Sequence, residues 1–229
     1  MPTVFITGAN RGLGLEMARQ YVADGWRVLA GCRDPDQAEA LRALGNGRGV
    51  EIHALDVSDH NQVDDLAGRL GGTAIDLLIN NAGVLGGHDH QGFGDIDYDI
   101  WQDVLRVNLL APVKVAEAFA DHVAASERKT MAFLSSQLGG IANAGGGFYM
   151  YGTSKAALNM AVKSMAVDLK PRGIAVVATH PGWVQTDMGG AGADITPQAS
   201  VSGLRRVFDS VGPADSGRFV RYDGVELPW

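Results

Sequence analysis

The chain is short of sulfur, of positive charge and of long apolar runs, and each shortage excludes something. A single cysteine, Cys32, stands in 229 residues, so no intrachain disulfide can form and a reducing compartment is expected. Its place at the end of an apolar run reads as that of a small buried residue. No stretch of 18 apolar residues occurs, and neither a basic n-region nor a long apolar h-region precedes the first apolar segment at Thr3. This pattern predicts a soluble cytoplasmic protein with no membrane partner. Lys and Arg number 19 against 26 Asp and Glu, a formal net charge of -7, with no basic run, which argues against a nucleic-acid partner. His88 and His90 form a His-x-His pair without a third ligand nearby, so no metal site is expected and loop packing or solvent accounts for them. Repeats and low-complexity tracts are absent as well.

What is present suits an enzyme of one domain over residues 1–229. Apolar residues make up 46% and charged residues only 20%, enough for a substantial core. The 31 glycines lie in short clusters between apolar runs, the usage of a loop-rich α/β protein. Apolar strand-like runs at 3–7, 27–32, 50–55, 75–80, 131–136, 175–180 and 217–222 alternate with helical patterns. The helices are expected over 15–24, 35–44, 60–70, 98–125 with an interruption near Asn108 and Pro112, from about Tyr151 onward, and over 197–211. Alternation of this kind implies a parallel, doubly wound Rossmann-type sheet with helices on both faces. Residues 84–96 read as a flexible glycine-rich loop, and the glycine-rich run to Asp194 as a mobile lid.

The first strand runs into GANRGLG and then into a helix. Gly8 can make the sharp turn, Gly12 lets a backbone approach a pyrophosphate, and Gly14 permits close helix packing, with the helix's amino end facing the phosphates. The second strand ends in Arg33, where an acid would usually meet a ribose 2′-hydroxyl. Arg33 and Arg11 can together clamp a 2′-phosphate, favouring NADP(H), with NAD(H) as the alternative; the plain reading is two solvated surface arginines. Asp56 suits an adenine amino group and equally a helix cap. Asn80-Asn81-Ala82-Gly83 ends the fourth strand, where small and amide residues suit a cofactor lying across the edge. Pro181, Gly182, Val184 and Thr186 follow a later strand and are candidates to meet a nicotinamide carboxamide. Asn108 is a candidate for bending its helix and freeing a backbone carbonyl.

The chemistry gathers between residues 134 and 155. Tyr151 and Lys155 are four apart and share one helix face about a turn apart. A cation about 4 Å away at an effective dielectric near 20 contributes about 4 kcal/mol, enough to lower a phenol pKa by about three. Tyr151 can then trade protons near neutrality. Ser136 ends an apolar strand and projects toward the same place. Taken alone, a Tyr-x-x-x-Lys spacing is common by chance; the glycine turn upstream gives it meaning.

With these residues in place, the chain resembles the short-chain dehydrogenase/reductase family over essentially its whole length. The resemblance rests on TGANRGLG, Asp56-Val57, NNAG, Asn108, Ser136, Tyr151 to Lys155 and Pro181-Gly182. Within the family, SKAALNMAVKSMAVDLKPRGIAVVATHPGWVQTDMGG and DGVELPW look like the C-factor and sniffer-like carbonyl reductase group. The resemblance implies a strand order of 3-2-1-4-5-6-7 and a catalytic tetrad of Asn108, Ser136, Tyr151 and Lys155. Tyr151 would protonate a carbonyl oxygen held by Ser136, Lys155 would bind the nicotinamide ribose, and Asn108 would hold a relay water. Asn10, Leu13, Val57, Asn81, Ala82 and Gly83 would join the cofactor contacts. The substrate would be a small carbonyl or alcohol, and the helices around 108–125 and 151–170 a homodimer or homotetramer interface. The C-factor part of the resemblance adds a second expectation, a cofactor-binding signalling protein. An extended nucleotide-sugar epimerase is disfavoured by the short stretch after Thr186. Tyr151 stands fifteen positions after Ser136, a longer spacing than in much of the family, with Tyr149 close by; Tyr151 alone has a lysine four residues on. Phe148, Tyr149 and Trp183 are candidate pocket walls.

Overall fold

A computed structural model describes residues 1–45 and 49–229. Seven strands form one parallel sheet: β1 (Thr3–Thr7), β2 (Arg27–Cys32), β3 (Val50–Ala54), β4 (Leu77–Asn80), β5 (Thr130–Leu134), β6 (Ala175–His180) and β7 (Arg218–Arg221). Their spatial order is β3-β2-β1-β4-β5-β6-β7. The central strands are buried throughout because helices cover both faces, which is why they read as unbroken apolar runs.

Successive side chains point to opposite faces and feed two cores. Phe5, Leu29, Leu78, Phe133 and Val176 pack on one side with Phe119 and Leu158, Phe5 and Phe119 lying 4.7 Å apart between ring centroids. Val4, Ile6, Val28, Ile79 and Val177 pack on the other with Met17, Tyr21, Leu204 and Phe208. Helices α3 (His60–Arg69), α5 (Ala111–Ala124) and α6 (Tyr149–Asp168) cover the first face; α1 (Gly12–Ala23), α2 (Glu39–Leu44) and α7 (Pro197–Ser210) cover the second.

Two helix starts and one loop differ from expectation, while the long helix breaks near Asn108 and Pro112 as expected. Helix α1 starts at Gly12 rather than Leu15, because the glycines that lower helix propensity are the residues the tight turn requires. Helix α2 starts at Glu39 rather than Pro35; Asp34 accepts from the Asp36 and Gln37 amides and holds that stretch in a turn. The long helix divides into α4 (Tyr98–Leu105), a π turn at Arg106–Leu110 containing Asn108, and α5 with Pro112 in its first turn. Inside the stretch expected as a plain loop, Gln91–Gly92 pairs antiparallel with Asp95–Ile96. No helix among the described residues is long and apolar enough to cross a membrane.

Candidate active site

The carboxyl ends of β1, β4 and β5 form the floor of the site. Gly8 turns the chain with φ +66°, and a Cβ there would lie 3.0 Å from Ala82 Cα. At Gly14 a Cβ would fall 2.2 Å from the Gly8 carbonyl oxygen and 2.7 Å from Asn81 Nδ2, so only glycine fits. Asn81 braces this turn: its Nδ2 donates to the carbonyls of Thr7 at 2.9 Å and Gly8 at 3.1 Å. Thr7 Oγ1 in turn accepts from the Asn81 and Ala82 amides. Gly12 is less crowded: a Cβ there would meet only the Thr186 side chain, at 3.7 Å, though its φ of +54° favours glycine. Arg11 provides no side-chain cap, and the first intrahelical bond is Leu15 N–H to Arg11 C=O. The three amides before it are free to hold an anion, and the cradle at Gly12 fits a dinucleotide pyrophosphate.

Beyond the ends of β2 and β3 stand the residues expected at the adenine and its 2′-phosphate. Arg11 reaches across to Asp187 at 2.7 Å, both side chains largely exposed, so this guanidinium is engaged by the chain's own carboxylate. Arg33 is exposed at the end of β2. Asp56 is not a helix cap; Asp59 caps α3. Burial alone would raise the Asp56 carboxyl, but donors from Ser58 N and Oγ, with the charges of Arg33 and Arg106, hold it below its ordinary range. Arg106 is a cation near this region that the sequence did not single out. Asn10 is exposed, Leu13 packs on the core beside α1, and Val57 packs on the opposite core.

Ser136 lies beyond the end of β5 and opens a 3-10 turn at Gln137–Gly139, its Oγ accepting from Leu138 N at 3.2 Å. That turn packs tightly on α6: a Cβ at Gly139 would sit 2.7 Å from the Lys155 carbonyl carbon. On the facing side of α6, Lys155 Nζ donates to Leu134 C=O at 2.8 Å and lies 5.7 Å from the Tyr151 ring centroid. Burial pushes the Tyr151 phenol up to about 12, and a hydrogen bond with Ser136 offsets part of this. Burial pulls Lys155 down to about 8. The expected lowering of the phenol pKa by Lys155 is therefore corrected: burial raises it, and the Lys155 ammonium donates to the Leu134 carbonyl. At neutral pH the phenol keeps its proton. Asn108 is wholly buried and clamps Val84, accepting from its N–H at 2.9 Å and donating to its C=O at 2.8 Å. It also donates to Ser154 Oγ at 3.0 Å, and Ser154 donates to the Tyr151 carbonyl at 2.7 Å. A Cβ at Gly83 would come within 3.2 Å of Asn108 Oδ1 and 3.6 Å of Lys155 Nζ, so this glycine keeps the two groups close.

A family model described as short chain dehydrogenase matches residues 2–194. The chain belongs to the short-chain dehydrogenase family. It is thus an NAD(P)-dependent oxidoreductase by membership. It is 46% identical over 156 residues to C-signal of Myxococcus xanthus, a match covering 68% of this chain and 93% of that one. Among solved structures it is similar to carbonyl reductase Sniffer of D. melanogaster, with TM-score 0.92, 33% identity and full coverage of both chains. It is also similar to an NADPH-bound carbonyl reductase from chicken fatty liver, with TM-score 0.91 and 31% identity, covering 100% of this chain and 99% of that one.

Two further features of this short-chain dehydrogenase lay outside the sequence reading. Asn159, one turn beyond Lys155, accepts from Ser135 Oγ at 2.6 Å and donates to Gly139 C=O at 3.2 Å, fixing the strand end that carries Ser136. The spacing 151, 155, 159 signals this in the sequence. Gln91, by contrast, contacts the Tyr151 amide from 60 residues away, a pairing with no local signature. After β6, Pro181 accepts from Ser200 Oγ at 2.6 Å, and Gly182 has φ +85° with its missing Cβ only 2.5 Å from Ile195 Cδ1. The expected lid is bonded to itself: Val184 bridges Ile195, Trp183 Nε1 donates to Gly189 C=O, and Gln185 Nε2 to Ala193 C=O. Thr186 sits over Gly12, while Phe148 and Trp183 are partly exposed. Phe93, 89% exposed, lies 6.3 Å from the Tyr149 ring.

Proposed function

We propose that this dehydrogenase reduces aldehydes or ketones with NADPH, a small carbonyl substrate lying between Ser136 and Tyr151. The observation that carries this reading is a neutral phenol beside a serine hydroxyl and a buried lysine, at the sheet edge next to an uncapped helix N-terminus. Bound NADPH supplies the hydride. Tyr151 gives its proton to the carbonyl oxygen while Ser136 Oγ holds that oxygen. Lys155 binds the nicotinamide ribose, and the π turn at Asn108 frees a backbone carbonyl for a relay water. The amides of Gly12, Leu13 and Gly14 hold the pyrophosphate, with Gly8, Asn10 and Arg11 beside them. Arg33 meets the 2′-phosphate, Asp56 and Val57 the adenine, and the backbone of Asn81, Ala82 and Gly83 flanks the ribose. Pro181, Gly182, Val184 and Thr186 meet the carboxamide. NADPH in the chicken enzyme supports the choice of cofactor. Titration with NADPH and NADH, together with NADPH consumption on a panel of aldehydes and ketones, tests the reading. NADPH preference that falls in Arg33→Ala is the expected result, and equal binding of both cofactors overturns the 2′-phosphate assignment.

The chain acts as one cytoplasmic domain over residues 1–229 and pairs through α5 and α6; exposed Leu110, Met160 and Val167 support that interface. Light scattering showing only monomer would overturn the pairing. The identity with C-signal favours a second reading, a cofactor-binding signalling protein. Tight dinucleotide binding without turnover on any carbonyl would select it.

A further inference from the structure

The loop between Gly83 and α4 is attached to the helix of Tyr151 at two points. Asn108 holds Val84 and reaches Ser154, as described above. The second attachment is Gln91. Its side chain is buried, only 4% of the residue being exposed, and all its polar atoms are engaged. Nε2 donates to Leu85 C=O at 2.9 Å and Gly87 C=O at 2.7 Å, using both amide hydrogens. Oε1 accepts from the Tyr151 backbone N–H at 3.1 Å.

That amide belongs to the first turn of α6, where N–H groups have no intrahelical partner. Phe148 at the N-cap is in the left-handed region, φ 49°, and gives no side-chain cap. The intrahelical ladder begins only at Gly152 N–H to Phe148 C=O. Gln91 therefore supplies the cap from a distant segment. Its own position is fixed by pairing with Ile96 in the short antiparallel ribbon and by Gly86, whose missing Cβ would be 2.7 Å from Val104 on α4.

We propose that Gln91 is a positioning residue for Tyr151: it caps the amino end of α6 and holds the phenol against Ser136. The assignment rests on Tyr151 being the proton donor. Without the Gln91 acceptor, the first turn of α6 frays and the phenol leaves its aligned position, while the glycine turn is untouched.

The test compares wild type with Gln91→Met, which keeps the volume and removes all three hydrogen bonds. Amide exchange at Tyr151 is followed alongside kcat, KM and NADPH affinity. Exchange at Tyr151 should quicken by about tenfold or more. kcat should fall by about tenfold or more, while NADPH affinity stays within about twofold. A residue that merely stabilised the fold would not separate kcat from cofactor affinity in this way. Unchanged exchange at Tyr151, or unchanged kcat, overturns the proposal. If wild type turned over no carbonyl while exchange at Tyr151 still rose in Gln91→Met, the clamp would stand and the reductase reading would fall. Should Gln91→Met not fold, Gln91→Asn, one methylene too short to reach all three partners, carries the same comparison.

Discussion

The glycine turn at the start of α1 and the polar face of α6 meet at one edge of the sheet, but different constraints select their residues. Around the turn, identity is set by space: Gly14 has a carbonyl oxygen where a Cβ would be, and Asn81 fills its place with donors to two carbonyls. Along α6, and at His180 where β6 ends, polar groups are buried at a cost. Burial displaces Tyr151 to about 12, Lys155 to about 8 and His180 to about 4, and His180 Nδ1 has no hydrogen-bond partner among the described residues. Substitution in the first region should cost folding, and in the second should cost activity or even relieve strain on stability.

The sharpest way to break this contrast is Gly14→Ala. Its Cβ meets backbone rather than a flexible side chain, so a loss of about 3 kcal/mol is expected, at the upper end for overpacking. Thermal melting should drop by about 6–12 °C. A melt within about 2 °C of wild type would show that the turn yields, and that space does not select glycine there.

The buried polar region predicts the opposite sign. His180 falls from 6.5 to about 4 because of burial, with Arg221 adding to it. Between those values the unfolded chain binds the proton that the folded chain refuses, so stability is lost as pH falls from about 6.5 toward 4. The loss amounts to about 3 kcal/mol at the acid end. Urea midpoints for His180→Gln should fall less over that window than those of wild type, and parallel curves would contradict the assignment. Lys155 acts over a different window: its folded pKa is depressed, so its penalty is present below about 8 and is relieved as pH rises toward 10.5.

The smallest effect belongs to the ion pair that joins the two regions from outside. Arg11 and Asp187 are 67% and 77% exposed, so Asp187→Ala should change stability by less than about 1 kcal/mol. A larger loss would mean that residues 183–195 contribute to holding the glycine turn in place.

The parallel sheet was legible because its central strands are unbroken apolar runs and the helices between them alternate regularly; its strand order came with the family resemblance. The break near Asn108 was legible too, since an asparagine and Pro112 interrupt one helical pattern. The start of α1 was hidden because its glycines lower helix propensity for reasons that only the turn explains. Near the proposed reaction centre, the spacing of Tyr151 and Lys155 announced a shared face, but their protonation depended on burial. Local spacing does not carry that. Arg11 illustrates the same limit: its position in the turn was visible, while its partner, Asp187, lies 176 residues away. Gln91 left no trace in the sequence pattern, since its ribbon is two residues wide and its acceptor serves a helix far along the chain.

The proton-donor role of Tyr151 is tested most directly by comparing wild type and Tyr151→Phe for carbonyl-dependent NADPH oxidation and for NADPH binding. The variant should lose about 10²–10⁴ in kcat, the contribution of a positioned general acid, while binding NADPH and melting as wild type does. Turnover retained in Tyr151→Phe would contradict the assignment.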